Sequence, residues 1–224
     1  MSKGIFITGT DTDIGKTYVT ALLVKTLREA GYDTGYYKAA VSGAASVAES
    51  DAGFVNRFAD IGEPEELLLS YLYRTPVSPH LAARLEGHPL EKEEILKAWA
   101  RVTAAYPYVA VEGSGGIVCP LRHDEIATYD LEDVVSWLHL PVLIVASAGL
   151  GTINQVVTTC EYIQNRRFPI RGILLNHWTG GVMEEDNVNM IEERTGVPVL
   201  AKIQDGDTRL ACDAKRLAKC FGNI

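Results

Sequence analysis

A chain of 224 residues, 47% hydrophobic and 22% charged, holds enough apolar material for a sizeable core without disulfide or metal staples. The net charge of −8, with 21 Lys and Arg scattered along the chain, argues against a nucleic-acid-binding surface, so any anionic ligand must be held by a few well-aimed groups. No apolar stretch approaches the ~20 residues of a membrane helix, and the apolar run after Met1-Ser2-Lys3-Gly4 is too short for a signal peptide, so a cytoplasmic protein without membrane or nucleic-acid partners is expected.

In chain order, a β-branched apolar run at 5–8 predicts a first strand. Residues 15–30 predict a helix, with Val19, Leu22, Leu23 and Leu27 on one face and Gly31 as its stop. A second strand is expected at 34–37. The helical period returns at 91–105 through Ile95, Leu96, Trp99 and Val102, and a strand follows at 108–111. Then come a strand at 142–146, a helix at 154–166 carrying Val156, Val157, Tyr162 and Ile163, and a strand at 172–175. A helix at 183–195, ended by Gly196 ahead of Pro198, and a strand at 197–201 complete the series. Short continuous apolar strands suit a sheet buried on both faces. Their alternation with helices implies a doubly wound α/β fold: a mostly parallel sheet, helices on both faces, and one P-loop NTPase-like domain over 1–224. Cys119, Cys160, Cys212 and Cys220 show no CxxC spacing and read as reduced thiols.

The run Gly9-Thr10-Asp11-Thr12-Asp13-Ile14-Gly15-Lys16-Thr17 follows the first strand and opens the first long helix. That is the context of a phosphate-binding loop, although its first glycine stands one residue earlier than the common pattern. Successive backbone N–H groups and the helix N-terminus would cradle a triphosphate. Lys16 would reach the β- and γ-phosphates, and the Thr17 hydroxyl would ligate Mg²⁺. Glu112, just after the strand at 108–111 and opening a glycine-rich turn, is a carboxylate placed to join that metal. Asp51 reads either as a helix cap or as a second metal carboxylate.

The loop GTDTDIGKT resembles that of the dethiobiotin synthetases, enzymes of biotin biosynthesis. The similarity runs on through Tyr37-Lys38-Ala39-Ala40-Val41-Ser42-Gly43, Ser50-Asp51-Ala52, Ser78-Pro79-His80-Leu81-Ala82-Ala83, Val111-Glu112-Gly113-Ser114-Gly115-Gly116 and Gly149-Leu150-Gly151-Thr152-Ile153-Asn154. The chain departs from the family's pattern at Ala39, at Gln155, around the retained asparagine of Leu175-Asn176-His177, and at Lys202-Ile203-Gln204.

The resemblance implies an ATP-dependent cyclo-ligase that joins CO₂ to 7,8-diaminopelargonate. Lys38 and Lys16 would be catalytic, and Lys38 would contact the carbamate and the γ-phosphate. Thr17, Asp51 and Glu112 would hold Mg²⁺. Asp13, Ile14, Gly15 and Tyr18 would line the nucleotide, with Gly113, Ser114 and Gly115 supplying amides. Asn176 would read the base, with His177, Ile203, Gln204 and Asp205 beside it. Thr12, Ser42, Gly151 and Asn154 would bind the organic substrate, the last two from the neighbouring subunit of a homodimer. His80 and His123 are expected to pack or cap. The alternative is a related P-loop switch or assembly ATPase without ligase activity. Such proteins carry an extra lysine early in the loop, where this chain has Thr10-Asp11-Thr12, but often end in a basic helix such as Lys215, Arg216 and Lys219 would make.

Overall fold

The computed structural model describes residues 2–224. Its elements are β1 (Lys3–Gly9), α1 (Lys16–Glu29), β2 (Thr34–Ser42), α2 (Asp51–Phe58), α3 (Glu65–Leu68), β3 (Leu69–Tyr73), α4 (Pro79–Glu86) and α5 (Lys92–Ala105). There follow β4 (Tyr108–Gly116), β5 (Pro120–His123), β6 (Thr128–Asp130), α6 (Leu131–Leu138), β7 (Val142–Ser147) and α7 (Thr152–Asn165). The chain closes with β8 (Ile170–Asn176), α8 (Val182–Thr195), β9 (Val199–Lys202), α9 (Ala214–Ala218) and β10 (Gly222–Asn223).

The main sheet runs β3-β2-β4-β1-β7-β8-β9. Every pairing along that path is parallel, and only β10 joins antiparallel, at the start of β1. One core, carried by α1, α2 and α9, covers one face; a second, carried by α4 to α8, covers the other. The architecture is the expected doubly wound one. Among the described residues no helix is long and apolar enough to cross a membrane.

Strand side chains alternate faces with a period of two, and this places the site. Tyr36, Ala110 and Leu174 lie in the core under α1, whereas Tyr37, Val111 and Leu175 lie in the opposite core. Lys38, Glu112 and Asn176 stand two residues beyond the first set, on its face; Asn176 ends β8, while Lys38 and Glu112 lie midway along β2 and β4, in the half that leads to the carboxyl ends. Ligands bind at those ends of an open parallel sheet.

The six expected strands and four expected helices are all present, some of them longer. The strand expected at 108–111 continues to Gly116, so Glu112 and Gly113 lie within β4 and not in a turn. Pairing explains the extension: Glu112 is in register with Lys38 on one side and Ile7 on the other. β3, the β5–β6 hairpin, β10 and the short helices α3, α4 and α6 lie outside the expected series; α2 and α9 correspond to the helix that the capping reading of Asp51 implies and to the basic C-terminal segment. α6 was legible, because Leu131, Val134, Val135 and Leu138 follow helical spacing and are buried.

Candidate functional site

The turn between β1 and α1 exposes main-chain amides. α1 begins at Lys16 with Gly15 as its N-cap at φ 81°, and no side chain caps it. Its first amides lack intrahelical partners, and Gly15, Lys16 and Thr17 face a cleft of about 310 Å³. The early glycine at position 9 has a local reason. A Cβ there would come within 2.6 Å of Ile14 Cδ1 and 2.8 Å of Lys16 Cδ. Thr10 is tied into the sheet instead, its N–H donating to the Val145 carbonyl at 3.0 Å. Lys16 arches back over the loop, its Nζ donating to the Asp11 carbonyl at 2.8 Å. Burial holds its ammonium below the ordinary lysine pKa; Glu112 opposes the shift and Lys38 adds to it.

Across the cleft, β4 lies between β1 and β2, so Glu112 stands between the phosphate loop and Lys38. Glu112 Oε1 accepts from Thr17 Oγ1 at 2.8 Å and from Lys38 Nζ at 2.6 Å. Lys38 Nζ also donates to Asp51 Oδ2 at 2.6 Å. The Lys38 side chain is 5% exposed and that of Glu112 0%, whereas Asp51 is 47% exposed. Burial pushes the Lys38 ammonium down, but the carboxylates of Glu112 and Asp51 outweigh it and hold the pKa above the usual value. Asp51 is not the helix cap. Ser50 is, accepting from the Gly53 N–H at 3.3 Å, which leaves the Asp51 carboxylate free for Lys38. Burying Lys38 and Glu112 costs several kcal/mol per ion before pairing. Such a cluster beneath a phosphate loop marks a functional centre more than a source of stability.

The far side of the loop meets the ends of β8 and β9. Asn176 Nδ2 donates to the Ile14 carbonyl at 2.9 Å, while Asn176 Oδ1 is buried without a hydrogen-bond partner among the described residues. A Cβ on Gly15 would lie 2.2 Å from Asn176 Nδ2, so the loop can close on the amide only with glycine there. His177, at φ 57°, places Nδ1 3.1 Å from Asp205 Oδ1. Tyr18 donates its hydroxyl to the Asp207 carbonyl, and Gln204 donates its N–H to Asp207 Oδ2 at 2.9 Å. Ile203 is buried, and its N–H and carbonyl are bonded to Leu175 and Trp178, so it offers the site no main-chain group beyond those bonds.

A second cleft, about 460 Å³, opens on the other flank of the loop. Gly9, Thr10, Asp11 and Thr12 form one wall, and Gly116, Ile117, Val118, Thr158, Thr159 and Tyr162 form the rest. Thr12 lines both clefts. Gly151 and Asn154 line neither. They sit exposed at the start of α7, where Gly151 is the N-cap at φ 93°, no side chain caps the helix, and Leu150 is 92% exposed.

A family model described as an AAA domain matches residues 3–208. The ATP-dependent dethiobiotin synthetase BioD of Brachyspira hyodysenteriae is 43% identical, over 99% of this chain and 100% of its own length. That of Clostridium kluyveri is 46% identical, over 92% of this chain and 87% of its own. The chain belongs to the dethiobiotin synthetase family. The solved structures share the fold alone. MinD of Pyrococcus horikoshii, complexed with Mg-ADP, matches with TM-score 0.57 at 15% identity, over 92% of this chain and 82% of its own. The MinC:MinD cell division complex of Aquifex aeolicus matches with TM-score 0.58 at 14% identity, over 91% of this chain and 82% of its own.

For a dethiobiotin synthetase, most of the residues read from the sequence meet in one place. Thr12, Asp13, Gly15, Lys16, Thr17, Lys38, Ser42, Asp51, Glu112, Ser114 and Gly115 line the first cleft together. Gly113 does not; a Cβ on it would point at Leu131 and Phe6, in the core. Among the described residues no group of three or more His, Cys, Asp or Glu side chains gathers, so the protein supplies no full metal cage. Thr17, Asp51 and Glu112 instead offer a partial, all-oxygen set. That suits Mg²⁺, which completes its shell with phosphate oxygens and water. His80 Nδ1 lies 3.0 Å from Ser78 Oγ at the start of α4, and His123 is exposed.

Sequence reading missed the walls of the second cleft on α7 and after β4. It also missed Tyr36, whose hydroxyl donates to Glu112 Oε2 at 3.1 Å. The signal for Tyr36 was available: it stands two residues before Lys38 on a strand, hence on the same face.

Proposed function

We propose that the chain is an ATP-dependent dethiobiotin synthetase, which forms dethiobiotin, ADP and phosphate from 7,8-diaminopelargonate, CO₂ and ATP. One amine of the substrate captures CO₂ and loses a proton to become a carbamate. A carbamate oxygen attacks the γ-phosphorus, and ADP leaves. The second amine then attacks the carbonyl carbon of the mixed anhydride, phosphate departs, and the cyclic urea closes.

The triphosphate lies on the amides of the phosphate loop, with Lys16 along the β- and γ-phosphates. Lys38, kept protonated by its two carboxylates, faces the transferring phosphoryl group and the carbamate. Charge spread over the phosphoryl oxygens in the transition state is met by cations already in position. Thr17, Asp51 and Glu112 would hold Mg²⁺, which would supply positive charge against the phosphate groups. Thr12 and Ser42 orient the reacting nitrogens, and the aliphatic body of the substrate runs into the second cleft. Its carboxylate reaches the uncapped start of α7, Gly151 to Asn154, on a second copy of the chain in a homodimer. Asn176 reads the base, its unpartnered Oδ1 accepting from an exocyclic amine, with His177, Gln204 and Asp205 at the rim. A cytoplasmic setting goes with this reading.

The observation that carries this reading is the contact of Lys38 Nζ with both Asp51 and Glu112 at 2.6 Å in the cleft that Lys16 and Thr17 share. The test is product formation. ATP turnover should require diaminopelargonate and bicarbonate together and should yield dethiobiotin; hydrolysis indifferent to both would assign the chain to the switch ATPases. Lys38→Ala should lower kcat by about 10²-fold or more, while calorimetry finds the affinity for a nonhydrolysable ATP analogue within a few fold. A near-normal rate in that variant would remove Lys38 from the chemistry.

A further inference from the structure

Glu112 carries two oxygens with different surroundings. Oε1 faces the cleft and accepts from Thr17 Oγ1 and Lys38 Nζ. Oε2 faces the core, and its partner is the hydroxyl of Tyr36 at 3.1 Å. Tyr36 is itself 0% exposed. Its N–H donates to Glu63 Oε2 at 3.1 Å, so the residue is held at its backbone as well as at its tip. Lys38 and Tyr36 share one face of β2, and both reach Glu112 across the pairing that sets Lys38 opposite Glu112.

We infer that Tyr36 is a positioning residue for the metal-binding carboxylate: its hydroxyl anchors Glu112 Oε2 so that Oε1 alone is presented to the cleft. The inference rests on reading Thr17, Asp51 and Glu112 as metal ligands. A carboxylate is free to turn about its terminal torsion, and a buried one with an unmet oxygen turns to find a donor. Tyr36 removes that freedom. Tyr36 is buried and does not line the cleft, so its effect on the site passes through Glu112. Partners behind a metal ligand typically change metal affinity or activity by about 10–100-fold when removed.

The test compares Tyr36→Phe, which keeps the ring and its packing and deletes one hydroxyl, with Ile7→Val. Ile7 is buried, pairs with Glu112 in β1, and its shortening thins the same core without removing a hydrogen bond. Mn²⁺ binding is titrated by electron paramagnetic resonance in the presence of a nonhydrolysable ATP analogue, at a temperature where thermal melting shows each variant folded. Tyr36→Phe should weaken Mn²⁺ binding by about 10-fold, while leaving the analogue's metal-free affinity unchanged; Ile7→Val should bind as the wild type does. In turnover, Tyr36→Phe should need more Mg²⁺ for half-maximal rate, with KM for diaminopelargonate unchanged. A lower melting temperature with unaltered Mn²⁺ binding would make Tyr36 a packing residue and overturn the inference. A Glu112→Gln arm separates the two ideas. If Glu112→Gln also binds Mn²⁺ normally, the metal-site reading itself is wrong; if only Tyr36→Phe does, Tyr36 alone has been misassigned.

Discussion

Glu63 is a buried carboxylate outside the cleft, 4% exposed, in the loop before α3. Asn56 clamps its backbone with two hydrogen bonds of 2.9 Å, and its Oε2 accepts the Tyr36 N–H, but Oε1 has no partner among the described residues. Burial pushes its pKa up to about 8, against the smaller opposing pulls of the Tyr36 N–H and Arg28. The folded state therefore holds a proton that the unfolded chain releases near pH 4.5. Stability from this group is fully present below about pH 4.5, is lost as pH rises to about 8, and is flat beyond. Glu63→Gln stays neutral throughout. Chemical denaturation should find it close to wild type at pH 4.5 and more stable by roughly 2–4 kcal/mol at pH 9. Equal stability at both pH values would show that Glu63 is ionised in the folded protein.

Gly15 joins residue to element, because a single missing Cβ sets how α1 begins. At φ 81°, with Asn176 Nδ2 in the space a side chain would need, Gly15→Ala combines backbone strain with a clash. The strain alone is worth about 1–2 kcal/mol. The larger effect should be on function: the loop must move off Asn176, so KM for ATP should rise by about 10-fold or more, while the variant still melts cooperatively. Wild-type KM in Gly15→Ala would mean that the loop and the end of β8 are not coupled. At this scale the phosphate loop was fully legible in the sequence, since a glycine-bounded turn between an apolar strand and an apolar-faced helix has few other uses. β4 was not. Residues Glu112 to Gly116 have turn composition; Glu112 is strand because Ile7 of β1 and Lys38 of β2 pair with it on either side, and Gly116 pairs with Gly9 of β1 after a shift in register. The same holds for Asp51: helix capping was a sound local reading, but Ser50 takes that role once Lys38 has arrived from β2.

At the scale of the whole molecule, two clefts meet at Thr12, and the uncapped start of α7 faces neither. Thr158, which does line the second cleft, lies about 6 Å along the helix axis from Asn154, the rise of four residues. On the proposed reading, the helix start outside both clefts and a second cleft with no Lys or Arg among its lining residues would be brought together by two-fold exchange between copies. If the sites are shared, Lys38→Ala and Asn154→Ala chains, each inactive alone, should recover about a quarter of wild-type activity after random mixing, because one site in each mixed dimer receives neither change. Absence of recovery, with mixed dimers shown to form by mass, would put the tail site within one chain.

The sequence by itself determined the order of six strands and four long helices, the phosphate loop and the residues that resemble a synthetase, because each is set by local periodicity or short-range turn chemistry. Only the tertiary structure decided which groups touch. Strand order puts β4 between β1 and β2, and pairing register then aligns Glu112 with Lys38. Thr17, Tyr36, Lys38, Asp51 and Glu112 are scattered over 96 positions of the chain, from 17 to 112. They become one cluster through contacts between strands and helices distant in sequence, which no local pattern encodes.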